Sequence, residues 1–503
     1  MVHRNSIVLS VVFSTATALH TLAFGTEAPK PTIIVNWEHT VLVSKTVPTL
    51  QVVVSPLLRP GSAIHDPVFR ELRALGATNV RYAAWFPYPR LSVAELEPPS
   101  NGNATWDFSL MDPIVLDFLD ATSGHDPVLN FCTIPQWMFQ TTNKVPYPDD
   151  PKQVAWDYTQ GTELRDPSLK ELAGYYARVF SWYAFGGFED ENGKRHDSGH
   201  HFKIPYWEVL NEPDYEHDTT PQQYTERYDA IVGAIHKISP ATKFVGVSFA
   251  SPSQHPEMFE YFLDPKNHRP GIPLDYISYH FYAVPSSDQS PEVQQFTFFE
   301  QAEGFLNTVR YIEAIRKRLS PGTGTMLNEV GSISADDLAQ GESGHVAAPI
   351  PNSYWNLSGA LYAYLYAQFA AMEIDVAGES QMVGYPTQFP SVSMVDWSTG
   401  QPNARFWVLK LLHDHFGPGD KLVETSSSNP YVFAQGFISP DGRRQILLVN
   451  KRDRSAAVSI GNAESAKIEY VDESTGFQPP SVATIENGVL ELRDFSVAVV
   501  MLH

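Results

Sequence analysis

The chain has 503 residues, of which 43% are hydrophobic and 12% aromatic, so it is long enough to bury a large core. Its 57 acidic residues outnumber the 35 basic ones and give a formal charge of −22. This charge disfavours nucleic acids, anionic membrane surfaces and strongly acidic polymers as partners, whereas a neutral ligand is compatible with it. A need for solubility alone also explains such a charge.

The first 24 residues have the layout of a secretory signal peptide. His3 and Arg4 precede an apolar stretch over residues 7–23, and small residues follow, so we expect the mature chain to begin near Gly25. A signal anchor is the alternative, although polar residues interrupt the stretch and it is short for a bilayer span. The sequence therefore predicts a secreted, extracellular protein without membrane insertion.

Two sequons and a single cysteine are compatible with an exported protein that has a large core. The sequons begin at Asn103 and Asn356 and suggest a glycoprotein, although such tripeptides also arise by chance. Cys132 is the only cysteine, so no intramolecular disulfide can form. Because it lies in an apolar run, we predict a buried structural thiol rather than a nucleophile.

From about residue 48 to residue 416, apolar runs typical of β-strands alternate with stretches of helical period. The eight predicted strands are residues 50–54, 79–85, 127–134, 206–210, 243–249, 274–281, 325–328 and 391–395. Eight consecutive βα units predict a (β/α)8 TIM barrel over residues 48–416, with its active site at the carboxyl ends of the strands. A doubly wound open sheet is the alternative, but the chain lacks a Gly-x-Gly-x-x-Gly or phosphate loop.

Two of the predicted helices carry clear signals. In the first, Asp66 caps the helix, Pro67 opens it and Gly76 ends it. In the seventh, apolar residues recur nearly every turn among alanines from Leu357 to Met372. We expect this seventh helix to pack heavily against a sheet.

The sequence pattern changes after residue 416. Short β-like runs between turn residues predict a small antiparallel β-sandwich over residues 417–503. Residues 32–47 also look like a strand, and we expect them to belong to the same sandwich.

Two glutamates lie at the ends of predicted barrel strands. Glu212 follows the fourth strand in the segment Trp-Glu-Val-Leu-Asn-Glu-Pro-Asp, and Glu329 follows Met-Leu-Asn at the end of the seventh strand. Two carboxyl groups that face each other across a barrel mouth suit glycosidic-bond cleavage, because one must be protonated while the other stays ionised. Either glutamate alone is better explained as a salt-bridged strand end, but their joint position favours catalysis.

The order of Asn-Glu-Pro on the fourth strand and Glu on the seventh resembles a large clan of retaining glycosidases built on this barrel. Within it, Trp-Glu-Val-x-Asn-Glu-Pro-Asp is most similar to glycoside hydrolase family 39, which includes β-xylosidases and α-L-iduronidase. The resemblance covers most of the chain, including the C-terminal β domain. It implies that Glu212 is the acid/base and Glu329 the nucleophile of a double displacement with net retention.

The same resemblance implies roles for four polar residues. Asn211 would hydrogen-bond the substrate 2-hydroxyl, and Arg81 would hold the nucleophile ionised. His280 and Tyr282 match the His-x-Tyr pattern of the sixth strand, whose side chains contact the nucleophile or the sugar. Each of these residues has an alternative interpretation as a satisfied core residue.

Two tryptophans are candidates for stacking on a sugar, since aromatic faces match the apolar faces of pyranose rings. Trp397 follows the predicted eighth strand, and Trp137 follows the third. Because the chain has 10 tryptophans, a core position is the alternative for either of them.

We expect neither a cofactor nor a metal. His196, His200 and His201 suggest metal ligands, but their segment is hydrophilic and contains glycine, which is typical of a solvated turn. Retaining glycosidases need no metal. Glu208, four residues before Glu212, is interpreted as a buried and paired support.

The leading hypothesis is a secreted, exo-acting hydrolase of β-xylosides or of related neutral glycosides. An endo-glucanase-type or glucosylceramidase-type enzyme of the same clan, with an open cleft, is the second hypothesis. A non-catalytic carbohydrate-binding or cell-wall protein is the third, although such a protein has no need of the acid. The residues around Glu329 and the insertion at residues 146–166 depart from the family pattern. The sequence therefore does not determine which sugar the enzyme recognises.

Overall fold

The computed structural model describes residues 32–502 except 101, 159–160, 287–288, 340–347 and 385–388. The predicted signal peptide lies outside the described residues. None of the helices in the described ranges has the length and hydropathy that a bilayer span requires.

Strands and helices alternate through most of the described chain. The strands are β1 (Ile33–Val43), β2 (Val47–Val53), β3 (Arg81–Ala83), β4 (Val128–Asn130), β5 (Gly187–Glu189), β6 (Arg195–Asp197), β7 (Tyr206–Glu208), β8 (Lys243–Phe249), β9 (Tyr276–Ala283), β10 (Gly324–Ser332), β11 (Val376–Glu379), β12 (Lys421–Ser427), β13 (Val432–Ile438), β14 (Arg444–Asn450), β15 (Ala456–Ser459), β16 (Lys467–Val471), β17 (Ser481–Thr484), β18 (Val489–Leu492) and β19 (Val497–Leu502). The α-helices are α1 (His65–Leu75), α2 (Pro89–Ser92), α3 (Asp112–Ala121), α4 (Lys170–Ala184), α5 (Pro213–Glu216), α6 (Pro221–Ile238), α7 (Pro256–Phe262), α8 (Pro291–Leu319), α9 (Asn352–Ala371) and α10 (Ala404–His415).

Eight parallel strands close into a barrel in the order β2, β3, β4, β7, β8, β9, β10 and β11. This closure confirms the predicted (β/α)8 barrel and excludes the open sheet. Seven of the eight strands overlap the runs predicted from the sequence, and helix α1 ends at Gly76 in the left-handed conformation that glycine favours. The carboxyl ends of the strands all meet at one mouth of the barrel.

The predicted eighth strand is wrong. Residues 391–395 are buried, but they belong to a loop that contains the short 3-10 helix Pro390–Val392. The strand that closes the barrel is β11, which pairs in parallel with both β10 and β2. Its four residues, Val-Ala-Gly-Glu, include a glycine, and a glycine in a sequence argues against a strand. Gly378 is required there, because a Cβ atom would lie 2.8 Å from the Cα of Asn328.

The C-terminal strands form an antiparallel β domain, as predicted. Its main sheet has the strand order β1, β12, β13, β14, β19, β16 and β17, and β15 and β18 pair as a small second layer. Strand β1 enters this sheet by pairing with β12. One face of the main sheet buries Ile446 and Leu448 with Val458 of the second layer, whereas Leu447 and Val449 join the core of the barrel.

Helix α9 joins the barrel to the β domain. It contacts β10 and β11 on one side and β14 and β19 on the other, so nearly all of its side chains are buried. This confirms that the helix packs heavily against sheets. Asn356 lies within α9 and is 2% exposed, so that sequon is not on the surface, whereas Asn103 is exposed. Only Asn103 has the exposure that a glycan requires.

Cys132 is buried and free, as predicted. Its Sγ donates a hydrogen bond to the carbonyl oxygen of Ala84, and burial raises the pKa of the thiol well above its usual value. A thiol held in its neutral form is a poor nucleophile, so Cys132 is a structural residue.

Candidate active site

Glu212 lies just beyond the carboxyl end of β7, where the chain turns into α5. Pro213 opens that helix, and Glu212 has a φ of 40°, in the left-handed region that residues with a side chain rarely adopt. Its backbone N–H donates to the carbonyl oxygen of Ser248 over 2.8 Å, which ties the turn to the neighbouring strand β8. Backbone strain of this kind is concentrated at functional sites.

Glu329 lies in β10 and pairs in register with His280 of β9. Its two carboxylate oxygens have different hydrogen-bond donors. Arg81 Nη1 donates to Oε2 over 2.8 Å, and Tyr282 Oη donates to Oε1 over 2.7 Å. The two hydrogen bonds fix the position of the Glu329 carboxyl group.

The imidazole ring of His280 bridges the two glutamates. Its Nδ1 lies 2.8 Å from Glu212 Oε1 and 3.5 Å from Glu329 Oε2. This nitrogen and one oxygen of each carboxyl group all lie within 4.8 Å of one another. The two carboxyl groups therefore face each other at the mouth of the barrel, as the sequence predicts.

The environment of Glu212 favours a bound proton. Burial raises the pKa of Glu212 above its usual value; the contact with His280 opposes this shift, and the charge of Glu329 adds to it. Burial disfavours a charge on His280, but the charge of Glu329 and the contact with Glu212 raise the pKa of the ring. Acid-assisted displacement uses two carboxyl groups in different states, one that binds a proton more tightly than usual and one that is paired with a cation. Glu212 and Glu329 fit these two descriptions.

Arg81 is the buried centre of the polar network at this site and is 1% exposed. It donates hydrogen bonds to five side chains: Gln51, Glu208, Asn211, Ser248 and Glu329. Burial disfavours its charge, but Glu208 and Glu329 raise the pKa of the guanidinium above its usual value.

Glu208 is held as a carboxylate inside the barrel. Burial would raise its pKa, but Arg81 and the hydrogen bonds donated by Ser278 and Asn328 lower it below the usual value. Asn130 donates to the same carboxylate oxygen as Arg81. The geometry agrees with the interpretation of Glu208 as a paired support rather than a proton carrier.

Replacement of Arg81 by methionine is expected to lower the free energy of unfolding by about 3 to 5 kcal/mol, because Glu208 would be left buried without a cation. Urea denaturation measures this loss. Arg73→Met is the matched control, since Arg73 pairs with Asp120 at the surface and its loss should cost less than about 1 kcal/mol. The double variant Arg81→Met/Glu208→Gln should recover part of the loss. Equal stability of Arg81→Met and the control would contradict the prediction.

The two glutamates line a cavity of about 980 Å³. Arg81, Asn211 and Tyr282 line it as well, so the structure brings most of the predicted polar site residues to one place. His280 completes this group through its contacts with both glutamates.

One side of the cavity is formed by four aromatic residues, which we call the aromatic wall: Trp85, Phe86, Trp156 and Phe389. The ring centroids of Trp85 and Trp156 are 5.5 Å apart, and those of Trp156 and Phe389 are 6.0 Å apart. Trp85 follows β3, Trp156 lies in the insertion at residues 146–166, and Phe389 follows β11. The wall therefore offers an apolar surface of the kind on which sugar rings stack.

The structure places the two predicted sugar platforms away from the described lining of the cavity. Trp137 Nε1 donates to the carbonyl oxygen of Glu95, and the guanidinium of Arg165 lies 4.3 Å from the centre of the Trp137 ring. Trp397 follows the segment that was wrongly predicted as the eighth strand, so it does not lie at the end of a barrel strand. Neither tryptophan is among the cavity-lining residues in the described part of the chain.

Glu216 is a third glutamate of the cavity, and it is buried, but sequence reasoning missed it. Trp85 Nε1 and Asn211 Nδ2 donate to its Oε1 over 2.8 and 2.9 Å. Burial raises the pKa of Glu216 well above its usual value; the Asn211 hydrogen bond opposes the shift, and the charge of Glu212 adds to it. Its position four residues after Glu212 was the available signal.

The histidine segment does not gather into a metal site in the described structure. His196 lies 2.8 Å from Asp190, and His200 lies 3.4 Å from Asp112. Among the described residues, the group whose potential ligand atoms converge consists of Glu212, His280 and Glu329. A metal ion bound there would occupy the space between the two candidate catalytic carboxyl groups.

Residues 195–322 match the model of the family described as glycosyl hydrolases family 39. No curated protein matches the chain. The matched segment includes Glu212, Asn211 and His280, whereas Glu329 lies beyond it.

Three solved structures show what the fold is similar to. A family 51 α-L-arabinofuranosidase from Bifidobacterium longum has a TM-score of 0.62 and 13% identity, and the match covers 95% of this chain and all of that one (100%). A glucosidase from Croceicoccus marinus has a TM-score of 0.58 and 16% identity, with 94% and 98% of the chains covered. A GH30 endoxylanase from Clostridium papyrosolvens has a TM-score of 0.54 and 15% identity, with 94% and 99% covered.

These similarities agree with the barrel and the accessory β domain. The resemblance to glycoside hydrolase family 39 that the sequence predicts is thus confirmed over residues 195–322, and the protein is a glycosidase built on the (β/α)8 barrel.

Proposed function

We propose that the protein is a retaining glycosidase in which Glu212 is the general acid/base and Glu329 the nucleophile. The observation that carries this proposal is the proximity of the two carboxyl groups, since an oxygen of each lies within 4.8 Å of the other. Retaining enzymes hold these groups about 5 to 5.5 Å apart, whereas inverting enzymes leave about 6.5 to 9.5 Å for a water molecule.

In the first step, the Glu212 proton moves to the glycosidic oxygen while a carboxylate oxygen of Glu329 bonds to the anomeric carbon. The bond between that carbon and the leaving oxygen breaks, and a glycosyl ester of Glu329 remains. In the second step, Glu212 takes a proton from water, and the water oxygen displaces Glu329 from the sugar. Asn211 lines the cavity, and its side chain hydrogen-bonds the substrate 2-hydroxyl in both steps of the proposed mechanism.

The anomeric form of the first product tests this mechanism. Proton NMR during the first minutes of aryl-glycoside hydrolysis should show the same anomer in the product as in the substrate, before mutarotation mixes the two. Appearance of the opposite anomer would overturn the double displacement while leaving the two carboxyl groups as an acid and a base.

We further propose a neutral glycoside as the substrate, with β-xylosides as the leading choice. Arg81 is the one cationic side chain in the described lining of the cavity, and Glu208 and Glu329 already pair with it. A uronic acid would therefore bring a carboxylate to a site without a free cation. With 4-nitrophenyl as the common leaving group, kcat/KM for the β-xyloside should exceed that for the glucuronide. The reverse order would contradict the choice of a neutral sugar.

An endo-acting enzyme of the same type is the second candidate, because a cavity of about 980 Å³ has room for more than one sugar ring. Product analysis with xylan and with xylo-oligosaccharides separates the two modes. Release of xylose alone supports exo action, whereas early release of longer fragments with a rapid fall in viscosity supports endo action.

Secretion is part of the proposal and has its own test. The segment at residues 1–24 predicts cleavage near Gly25. Protein recovered from the culture medium should begin close to this residue by N-terminal sequencing. A full-length chain retained with the membrane fraction would indicate a signal anchor instead.

The pH dependence of kcat/KM should be bell-shaped, because Glu212 must be protonated while Glu329 is ionised. The raised pKa of Glu212 should place the alkaline limb at a higher pH than an ordinary glutamate would give, since activity falls as Glu212 loses its proton. With a 2,4-dinitrophenyl glycoside, Glu212→Ala should lose the alkaline limb and keep the acidic one. An alkaline limb that persists in this variant would mean that another group supplies the proton.

A further inference from the structure

Glu216 has no role in the double displacement, yet it lies in the wall of the cavity next to the residues that perform it. The residue is 8% exposed, and two neighbouring side chains donate hydrogen bonds to it. Trp85 Nε1 donates to Oε1 over 2.8 Å, and Asn211 Nδ2 donates to the same oxygen over 2.9 Å. In the described contacts both hydrogen bonds go to Oε1, so Oε2 is left for a ligand in the cavity.

Both polar atoms of the Asn211 side chain, Oδ1 and Nδ2, take part in hydrogen bonds. Its Oδ1 accepts a hydrogen bond from Arg81 Nη2 over 2.7 Å, and one proton of its amide group goes to Glu216. An amide NH2 group has two protons, so the second proton of Asn211 is available to a sugar hydroxyl. Glu216 and Asn211 therefore present a carboxyl oxygen and an amide proton side by side.

We propose that Glu216 is a specificity-determining residue: its Oε2 hydrogen-bonds the sugar hydroxyl adjacent to the one that Asn211 holds, while its Oε1 orients Asn211. The proposal rests on the proposed function, because it places the reacting sugar between Glu212 and Glu329. Adjacent protein groups fit adjacent ring hydroxyls, so with Asn211 at the 2-hydroxyl, Glu216 takes the 3-hydroxyl.

The charges around Glu216 determine in which form it binds. Arg81 lines the same cavity but already pairs with Glu208 and Glu329, and no described cation forms an ion pair with Glu216. Glu212 and Glu329 add negative charge to the same cavity, which agrees with the raised pKa of Glu216. A neutral carboxyl group both donates and accepts a hydrogen bond, so it recognises a hydroxyl group rather than a cationic amino sugar.

The test compares aryl glycosides that lack single hydroxyl groups, using the wild-type enzyme and Glu216→Ala. Loss of the contact should lower kcat/KM for the intact sugar by about tenfold or more. For the 3-deoxy sugar, Glu216→Ala should cause almost no further loss, because the partner hydroxyl is already missing. For the 2-deoxy and 4-deoxy sugars, the full loss should remain.

Two further variants separate this contact from a general disturbance of the site. Glu216→Gln keeps a neutral side chain of the same shape and should stay within a few-fold of the wild-type kcat/KM. Trp85→Phe removes one donor to Oε1, and Trp37→Phe, in strand β1 of the β domain, is its matched control. Trp85→Phe should weaken discrimination between the intact and 3-deoxy sugars, whereas Trp37→Phe should leave it unchanged.

Three results would overturn the proposal. Equal losses for all deoxy sugars would make Glu216 a structural residue. Coupling to the 2-hydroxyl alone would assign its effect to Asn211. Coupling to the 4-hydroxyl would place a different part of the sugar beside it. Product stereochemistry and the Glu329→Gln variant test the proposed function separately, so failure of the mechanism is distinguishable from failure of this contact.

Discussion

Replacement of Glu329 by glutamine is expected to lower the turnover of every glycoside by about 10,000-fold or more, because the amide cannot form the bond to the anomeric carbon. The loss should be as large for activated aryl glycosides as for natural ones, since both need the nucleophile. Single-turnover assays with a 2,4-dinitrophenyl glycoside measure it directly. No burst of dinitrophenol should precede the residual steady-state rate.

The contacts of Glu329 make a fold control necessary for this variant. Arg81 and Tyr282 donate to different oxygens of Glu329, and glutamine has only one acceptor oxygen for the two donors. Glu226→Gln is the matched control, because Glu226 is exposed on α6 and hydrogen-bonds Gln222. Circular dichroism and thermal unfolding establish whether each variant is folded. A folded Glu329→Gln enzyme that keeps more than about 1% of the activity would disprove the nucleophile assignment.

Replacement of Glu212 by alanine is expected to reduce activity by an amount that depends on the leaving group of the substrate. Alkyl glycosides and oligosaccharides need the proton that Glu212 supplies, so their kcat/KM should fall by about 100- to 10,000-fold. Dinitrophenyl glycosides need little protonation, so their first step should persist. The second step lacks its base, and the glycosyl ester of Glu329 should therefore accumulate as a burst followed by slow turnover.

Azide completes the test of Glu212. A small anion needs no general base, and removal of the Glu212 side chain gives it room beside the ester. Added azide should therefore accelerate the slow second step of Glu212→Ala and release a glycosyl azide of the same anomeric form as the substrate. Wild-type enzyme and Glu226→Gln should show no acceleration. Equal losses on all substrates, without azide rescue, would place the acid elsewhere.

The barrel and its polar site were predictable because they depend on periodic patterns. Apolar runs alternating with helical stretches define the βα units, and the carboxyl ends of parallel strands meet at one mouth. Arg81, Asn211, His280 and Tyr282 lie in or just after three different strands, β3, β7 and β9, so their convergence with the glutamates follows from the topology. Hydrogen bonds to Glu212 or Glu329 now join Arg81, His280 and Tyr282 to that pair.

The features that sequence reasoning missed depend on loops and on short or irregular segments. Strand β11 has four residues and a central glycine, so its hydrophobic pattern is weaker than that of the buried loop 391–395. Trp156 and Phe389 reach the cavity through loop conformations that no periodicity encodes. Glu216 lies at the end of the one-turn helix α5, and the direction of its side chain depends on the left-handed turn at Glu212.

The position of strand β1 affects the order in which parts of the protein can fold during translation. Thr32, just before β1, donates a backbone hydrogen bond to Ser459 Oγ, and 427 residues separate the two. At about 5 to 20 residues per second, translation of that interval takes roughly 20 to 90 s. For most of that time β1, with exposed apolar residues such as Ile34 and Val41, waits for its partner strand β12, which begins only at Lys421. The first strand to be synthesised is thus among the last to pair, and aggregation during synthesis should be most sensitive to this segment.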